Sequence, residues 1–152
     1  MLQMPDDVIL QVTDLKKYFP IESGFLVKKV IGHVKAVDDV SFTVRKGKAM
    51  GLVGESGCGK TTIARTVIRA YDPTAGTVLF RSREGVVDMA KLEKRELKKV
   101  RRDMQMIFQD PYSSLNPRMP ILDIISEPMK AHGVPKSVRE DRVAELLKLV
   151  GL

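Results

Sequence analysis

Gly54-Glu55-Ser56-Gly57-Cys58-Gly59-Lys60-Thr61-Thr62 follows a short apolar run, Ala49-Met50-Gly51-Leu52-Val53, and together they read as a strand, a glycine-rich turn and the start of a helix. A ligand with several negative charges in a small volume needs many N–H donors and a backbone that can come close. Glycines at 54, 57 and 59 supply that room, because without a Cβ they reach the φ > 0 turns that aim successive N–H groups inward. The following helix points its positive dipole end the same way. Within the full pattern, Lys60 is the residue expected on the β- and γ-phosphates, and Thr61 offers a hydroxyl to Mg²⁺. Cys58 is the only cysteine, so no internal disulfide can form, which fits a reducing compartment. It fills a small-residue slot, near enough to a helix start for its thiol to be oxidisable.

Working outward, 152 residues with 43% hydrophobic and 30% charged content suffice for one domain with a real core. Nothing approaches the ~18 to 20 consecutive apolar residues of a membrane span, and Met1 to Asp7 lacks the pattern of a signal peptide. The chain is expected to be cytosolic or peripheral. A net charge of +7 raises the question of nucleic acid. Seven of the cations fall between Lys91 and Arg102, where Met89, Leu92, Leu97 and Val100 form one apolar stripe. No aromatic residue interleaves with them to stack on bases, so they read as a solvated helix face and no nucleic-acid partner is expected.

Along the chain, Val8–Leu15 reads as a first strand ended by Tyr18-Phe19-Pro20, and residues 21–32 as a basic loop. Two short strands follow, Val34–Val37 and Val40–Val44, and then the strand before the glycine-rich turn. The helix from Lys60 carries Ile63, Ala64, Val67 and Ile68 inward. Thr77–Phe80 is a strand, Ser82–Asp88 a loop, Met89–Arg102 a helix and Met104–Phe108 a compact apolar strand. A proline-bounded loop, 109–117, leads to a helix over Ile121–Ala131 that should kink or break at Pro128. A last helix opens on a capping box, Ser137 to Glu140, with Val143, Leu146, Leu147 and Val150 on one face. The fold class is α/β, with an antiparallel β region on one side of a phosphate-loop core.

Three stretches together resemble the ATP-binding subunit of an ABC transporter, in particular of oligopeptide/dipeptide importers. They are the loop within 51–62, the run Met106-Ile107-Phe108-Gln109-Asp110-Pro111 continuing to Ser114-Leu115-Asn116-Pro117-Arg118-Met119, and the long connection from Tyr18 into Lys35-Ala36-Val37-Asp38-Asp39-Val40-Ser41-Phe42. The resemblance implies ATP and Mg²⁺ as ligands. It implies a region 1–108 holding the β subdomain and P-loop core, and a region 109–152 holding the Q-loop and the start of a helical subdomain. Gln109 would contact Mg²⁺ and the attacking water, work that suits a neutral amide beside the γ-phosphate. An aromatic residue after the first strand would lie against adenine, either Phe19 or Tyr18. Implied partners are transmembrane permease subunits and a second ATP-binding subunit, at the inner face of the cell membrane. The family's signature stretch, strand-end aspartate, adjoining glutamate and switch histidine are not found in these 152 residues. The chain thus looks like the N-terminal half of such an ATPase, and it is expected to bind ATP without turning it over on its own. A P-loop ATPase unconnected to transport is the alternative.

Overall fold

A computed structural model describes residues 3–24, 29–110 and 115–152. The chain divides into two compact units, Met1–Met106 and Ile107–Leu152. The first is built on a four-stranded antiparallel sheet: β1 (Val8–Ser23), β2 (Lys29–Arg45), β3 (Ala75–Ser82) and β4 (Gly85–Asp88), in the order β2-β1-β3-β4. Its helices are α1 (Lys60–Val67) and α2 (Lys94–Val100).

Strict period-two alternation along β1 would carry Val8 and Val12 inward and then bury Asp14. Instead the pairing register shifts between Val12 and Leu15, and Asp14 takes a positive φ of 51°. This bulge turns Asp14 out to solvent, where its N–H donates to Ser41 Oγ at 2.8 Å. Leu15 is thereby delivered to the core, fully buried. There it joins Val12, Val37, Val78, Phe80 and Met89, with Ile63 and Val67 from α1 and Leu97 and Val100 from α2. β3 can lie against the bulge only because residue 76 is glycine. A Cβ there would stand 2.5 Å from the Asp14 carbonyl oxygen and 2.7 Å from Leu15 Cα.

The structure corrects several boundaries. β1 runs on through Tyr18, Phe19 and Pro20 to Ser23, and β2 begins at Lys29, so most of the expected loop is a long two-stranded ribbon. Phe19 pairs with Val34 and Ile21 with Gly32, and this pairing outweighs the strand-breaking tendency of Pro20 and Gly32. The two expected short strands are one, β2, with register shifts between them. Ser82–Asp88 is a hairpin rather than a loop, since Gly85 at φ 124° lets the chain reverse and β4 pair with β3. α2 starts at Lys94, not Met89, because Met89 N–H is already bonded to Val78 at 2.8 Å and Glu93 with Glu96 forms the capping box. On α1 the third buried side chain is Thr66, bonded back to Thr62 O at 2.7 Å, while Ala64 is exposed. Ala49–Val53 and Met104–Phe108 pair with no strand among the described residues, and Val53 and Ile107 are each 95% exposed. Apolar runs of this kind become strands only beside partner strands. The described sheet is antiparallel throughout.

In the second unit, α3 (Ile121–Ala131) and α4 (Lys136–Leu149) form a helical hairpin. α3 continues through Pro128 without breaking, as the ring removes only the one bond its own nitrogen would have made. α4 opens on Pro135 rather than on Ser137, and Glu140 pairs with Lys136 at 3.7 Å instead of closing a capping box. Part of the proline-bounded loop, 111–114, lies outside the described residues.

Gly76→Ala should destabilise the chain by about 2 to 4 kcal/mol, combining the clash with the bulge and the left-handed backbone. Gly85→Ala, also at positive φ but with nothing within 4 Å of the new Cβ, should cost only about 1 to 2 kcal/mol. Denaturant melts of the two variants compare them directly. Equal losses would show that the bulge does not press on Gly76.

Candidate functional site

The turn between Gly54 and Lys60 is shaped by two contacts. Gly59 has φ 99° and serves as the N-cap of α1, and a Cβ on it would run into the Ala36 carbonyl oxygen of β2. Only glycine meets both conditions at once. Gly57, at φ 82°, has open space around it. The Lys60 side chain folds back along the loop, donating to Gly54 O at 2.7 Å and Glu55 O at 2.6 Å, with Cys58 Sγ at 3.5 Å. The ammonium thus sits on the concave side of the turn that its own backbone makes.

α1 has no side-chain cap and no acidic residue in its first turn. The N–H groups that begin a helix have no intrahelical partner, so this end presents donors and a positive dipole. That donor set, with one lysine inside the turn, fits a polyphosphate. Thr61 is exposed on the first turn. Mg²⁺ bound to phosphates usually keeps several waters and takes only one or two protein oxygens, so a single hydroxyl is a sufficient protein contribution. Among the described residues no group of three or more His, Cys, Asp or Glu side chains could hold a metal by itself.

The two aromatic candidates occupy different surroundings on β1. Tyr18 donates its hydroxyl to Asp38 Oδ1 on β2, its N–H bonds Thr74 Oγ1 at 2.9 Å, and Lys35 Nζ lies 5.3 Å over its ring. The bond to Asp38, then desolvation and the Asp38 and Asp39 charges, hold the Tyr18 phenol above its ordinary value. The same bond, only partly offset by desolvation and reinforced by the cations Lys35 and Lys16, draws the Asp38 carboxyl down. Phe19 instead meets Tyr71 edge to face, ring centroids 5.4 Å apart. Gln109 is exposed, in irregular backbone at the start of the second unit.

The structure therefore brings residues 54–62 into one turn and places Phe19 and Tyr18 on the neighbouring ribbon, while Gln109 belongs to the other unit. Sequence reasoning did not find the Ala36 carbonyl, whose role is backbone geometry and leaves no mark in residue type. It also passed over Tyr71, although an aromatic residue just before Asp72-Pro73 is a visible signal.

Residues 37–152 match the sequence pattern of the ABC transporter family. The chain belongs to that family. Family members similar to it include the oligopeptide transport ATP-binding protein AppF of Bacillus subtilis, 50% identical over 148 residues, covering 96% of this chain and 44% of AppF. A probable peptide ABC transporter ATP-binding protein, y4tS, of Sinorhizobium fredii is 48% identical, covering 96% of this chain and 40% of that protein. The chain thus spans less than half the length of these curated relatives. Among solved structures, a dimeric ATP-binding cassette, MJ0796, in a post-hydrolysis state with ADP and Pi, superposes with a TM-score of 0.72 at 23% identity, covering 95% of this chain and 58% of that one. The fold is that of an ABC ATP-binding cassette. No helix among the described residues is long and apolar enough to cross a membrane.

The Tyr18–Asp38 bond predicts a titration. A phenol whose folded pKa lies above its unfolded value adds stability that is complete below about pH 10 and is lost as pH rises through the raised folded value. Ultraviolet difference titration should find one tyrosine ionising above the ordinary range, and Asp38→Asn should bring that transition down. An unchanged curve in the variant would show that the bond does not persist in solution.

Proposed function

We propose that this chain is the nucleotide-binding part of the ATP-binding subunit of an ABC importer for oligopeptides or dipeptides, in which ATP binding and hydrolysis are coupled to solute transport. The observation that carries the reading is the turn itself: a lysine held inside a backbone loop, at an uncapped helix start whose N-cap glycine has no room for a side chain. The names of the relatives, oligopeptide and peptide transport ATP-binding proteins, support the choice of solute class.

In this reading Gly54, Glu55, Ser56, Gly57, Cys58 and Gly59 lend backbone donors to the phosphates, Lys60 exchanges its carbonyl partners for phosphate oxygens, and Thr61 with Thr62 closes the first helical turn around them. Thr61 would hold Mg²⁺, which would supply charge neutralisation there. Gln109 orients water, and Phe19 lies against the base. Lys60 and Gln109 are the residues of this chain through which positioning and charge stabilisation act. The partners are transmembrane permease subunits and a second ATP-binding subunit, and the complex sits at the inner face of the membrane. The dimeric cassette with the same fold supports a paired arrangement.

Binding alone gives affinity without rate when it favours ground and transition states equally. The one acidic side chain of the loop, Glu55, is exposed. In this reading the chain by itself binds nucleotide without turning it over.

Lys60→Ala should weaken Mg-ATP binding by about 2 kcal/mol or more, roughly thirtyfold, the range of a charge-assisted contact. Calorimetry on both proteins reads this, and equal affinities would remove Lys60 from the site. Phosphate release by the unmodified chain at saturating Mg-ATP should remain at the level of the Lys60→Ala blank. Turnover near ~1 s⁻¹, ordinary for phosphoryl-transfer enzymes, would mean that the chain already holds the groups hydrolysis needs.

A further inference from the structure

Beside Phe19 lies a group of side chains, Lys17, Arg65 and Tyr71, that interlock around its ring. Lys17, two residues before Phe19 on β1, places its Nζ 4.8 Å over the Phe19 ring and 6.0 Å over the Tyr71 ring, and donates to Asp72 O at 2.8 Å. Arg65 of α1 donates to the Tyr71 hydroxyl at 2.9 Å, with its guanidinium 5.8 Å over the same ring. Tyr71 N–H in turn bonds Arg65 O at 3.2 Å. Phe19, Tyr71, Lys17 and Arg65 are each part-buried, open on one side to solvent.

The group stands close to the phosphate turn. Phe19 is registered with Val34 on β2, two residues before Ala36, whose carbonyl faces Gly59. Strand spacing and rise put the Phe19 and Ala36 Cα atoms about 8 Å apart. Arg65 belongs to the same helix as Lys60, about 7.5 Å further along its axis. One rigid element therefore carries both the phosphate lysine and the arginine that holds Tyr71.

We propose that Tyr71 is a positioning residue for the nucleotide base. Anchored to α1 through Arg65, it fixes the plane of the Phe19 ring, Lys17 caps one face of that ring, and the opposite face receives a purine. The inference rests on the nucleotide-site reading above. A lone phenylalanine on an exposed ribbon must be ordered when a base stacks on it, and that ordering reduces affinity. An edge-to-face aromatic partner orders the ring in advance. The ammonium on one ring face, itself tied to a backbone carbonyl, favours that face for the cation and leaves the other for the neutral base. Were the pair only packing, loss of Tyr71 would loosen the whole site and weaken every ligand alike.

Calorimetry with Mg-ATP and with Mg-tripolyphosphate, which has no base, separates the cases. The unmodified chain should bind both, ATP more tightly. Tyr71→Leu should weaken ATP about fivefold, in the range of an aromatic pair, and leave tripolyphosphate within about twofold. Tyr71→Phe, which keeps the edge-to-face ring contact but loses the hydroxyl that Arg65 bonds, should recover only part of the ATP affinity. Should Tyr71→Leu fail to fold, Lys17→Met is the substitute and should show the same selective loss. Equal weakening of both ligands, or unchanged ATP affinity, would overturn the inference. Equal affinity of the unmodified chain for ATP and tripolyphosphate would also overturn it while sparing the phosphate turn, whereas binding of neither would overturn the nucleotide-site reading as well.

Discussion

The close approach of the Ala36 carbonyl to Gly59 ties the β ribbon to the phosphate turn, and the rest of the site depends on it. Without that contact the turn would be a glycine-rich segment free to sample many conformations, at considerable entropic cost to any ligand that ordered it. With it, the start of α1 is pressed against β2, and β2 is held by β1 along nearly its whole length. The β1 bulge and Gly76 then lock β1 onto β3, so that a deformation at the turn has to be absorbed by a packed sheet. Pre-organisation of the Gly54–Lys60 turn is in this sense a property of the antiparallel sheet.

The electrostatics agree with this division of labour. Three of the chain's arginines, Arg81, Arg69 and Arg101, serve internal structure. Arg81 donates to the carbonyls of Met4, Pro5 and Val8, fastening the N-terminal segment to β3. Arg69, at positive φ, reaches the Met89 and Leu92 carbonyls, and Arg101 in turn caps Arg69 O at 2.7 Å. Such side chain to carbonyl bonds connect the end of α1 to the segment around α2. They explain basic residues at positions that composition alone would give to a polyanion partner. In contrast, the Lys60 ammonium rests on carbonyls of a solvent-facing turn, partners that an anionic ligand can replace.

How much could be read in the sequence followed from how local the causes are. The Gly54–Thr62 pattern is decided by neighbours in the chain, and helix α1 begins at Lys60 as its spacing indicates. α3 matches the expected bounds for the same reason. The ribbon is hard to read locally because its strands are made by pairing across the chain, Phe19 with Val34, while Pro20 taken alone reads as a strand break. Ala49–Val53 and Met104–Phe108 went wrong in the opposite direction. Their apolar character suits buried strands, but among the described residues nothing pairs with them. The Ala36 carbonyl acts through backbone position and leaves no mark in residue type, whereas Tyr71 is visible as an aromatic residue before Asp72-Pro73 although its ring contact with Phe19 is not.

The turn acts through N–H groups rather than side chains, so backbone hydrogen exchange with and without Mg-ATP reads it directly. Bound nucleotide should slow exchange at residues 57–62, with β1 and β2 protected equally in both states because the ribbon is already formed. Protection confined to other segments, or a ribbon that gains protection only with ATP, would contradict a turn that the sheet holds ready in advance.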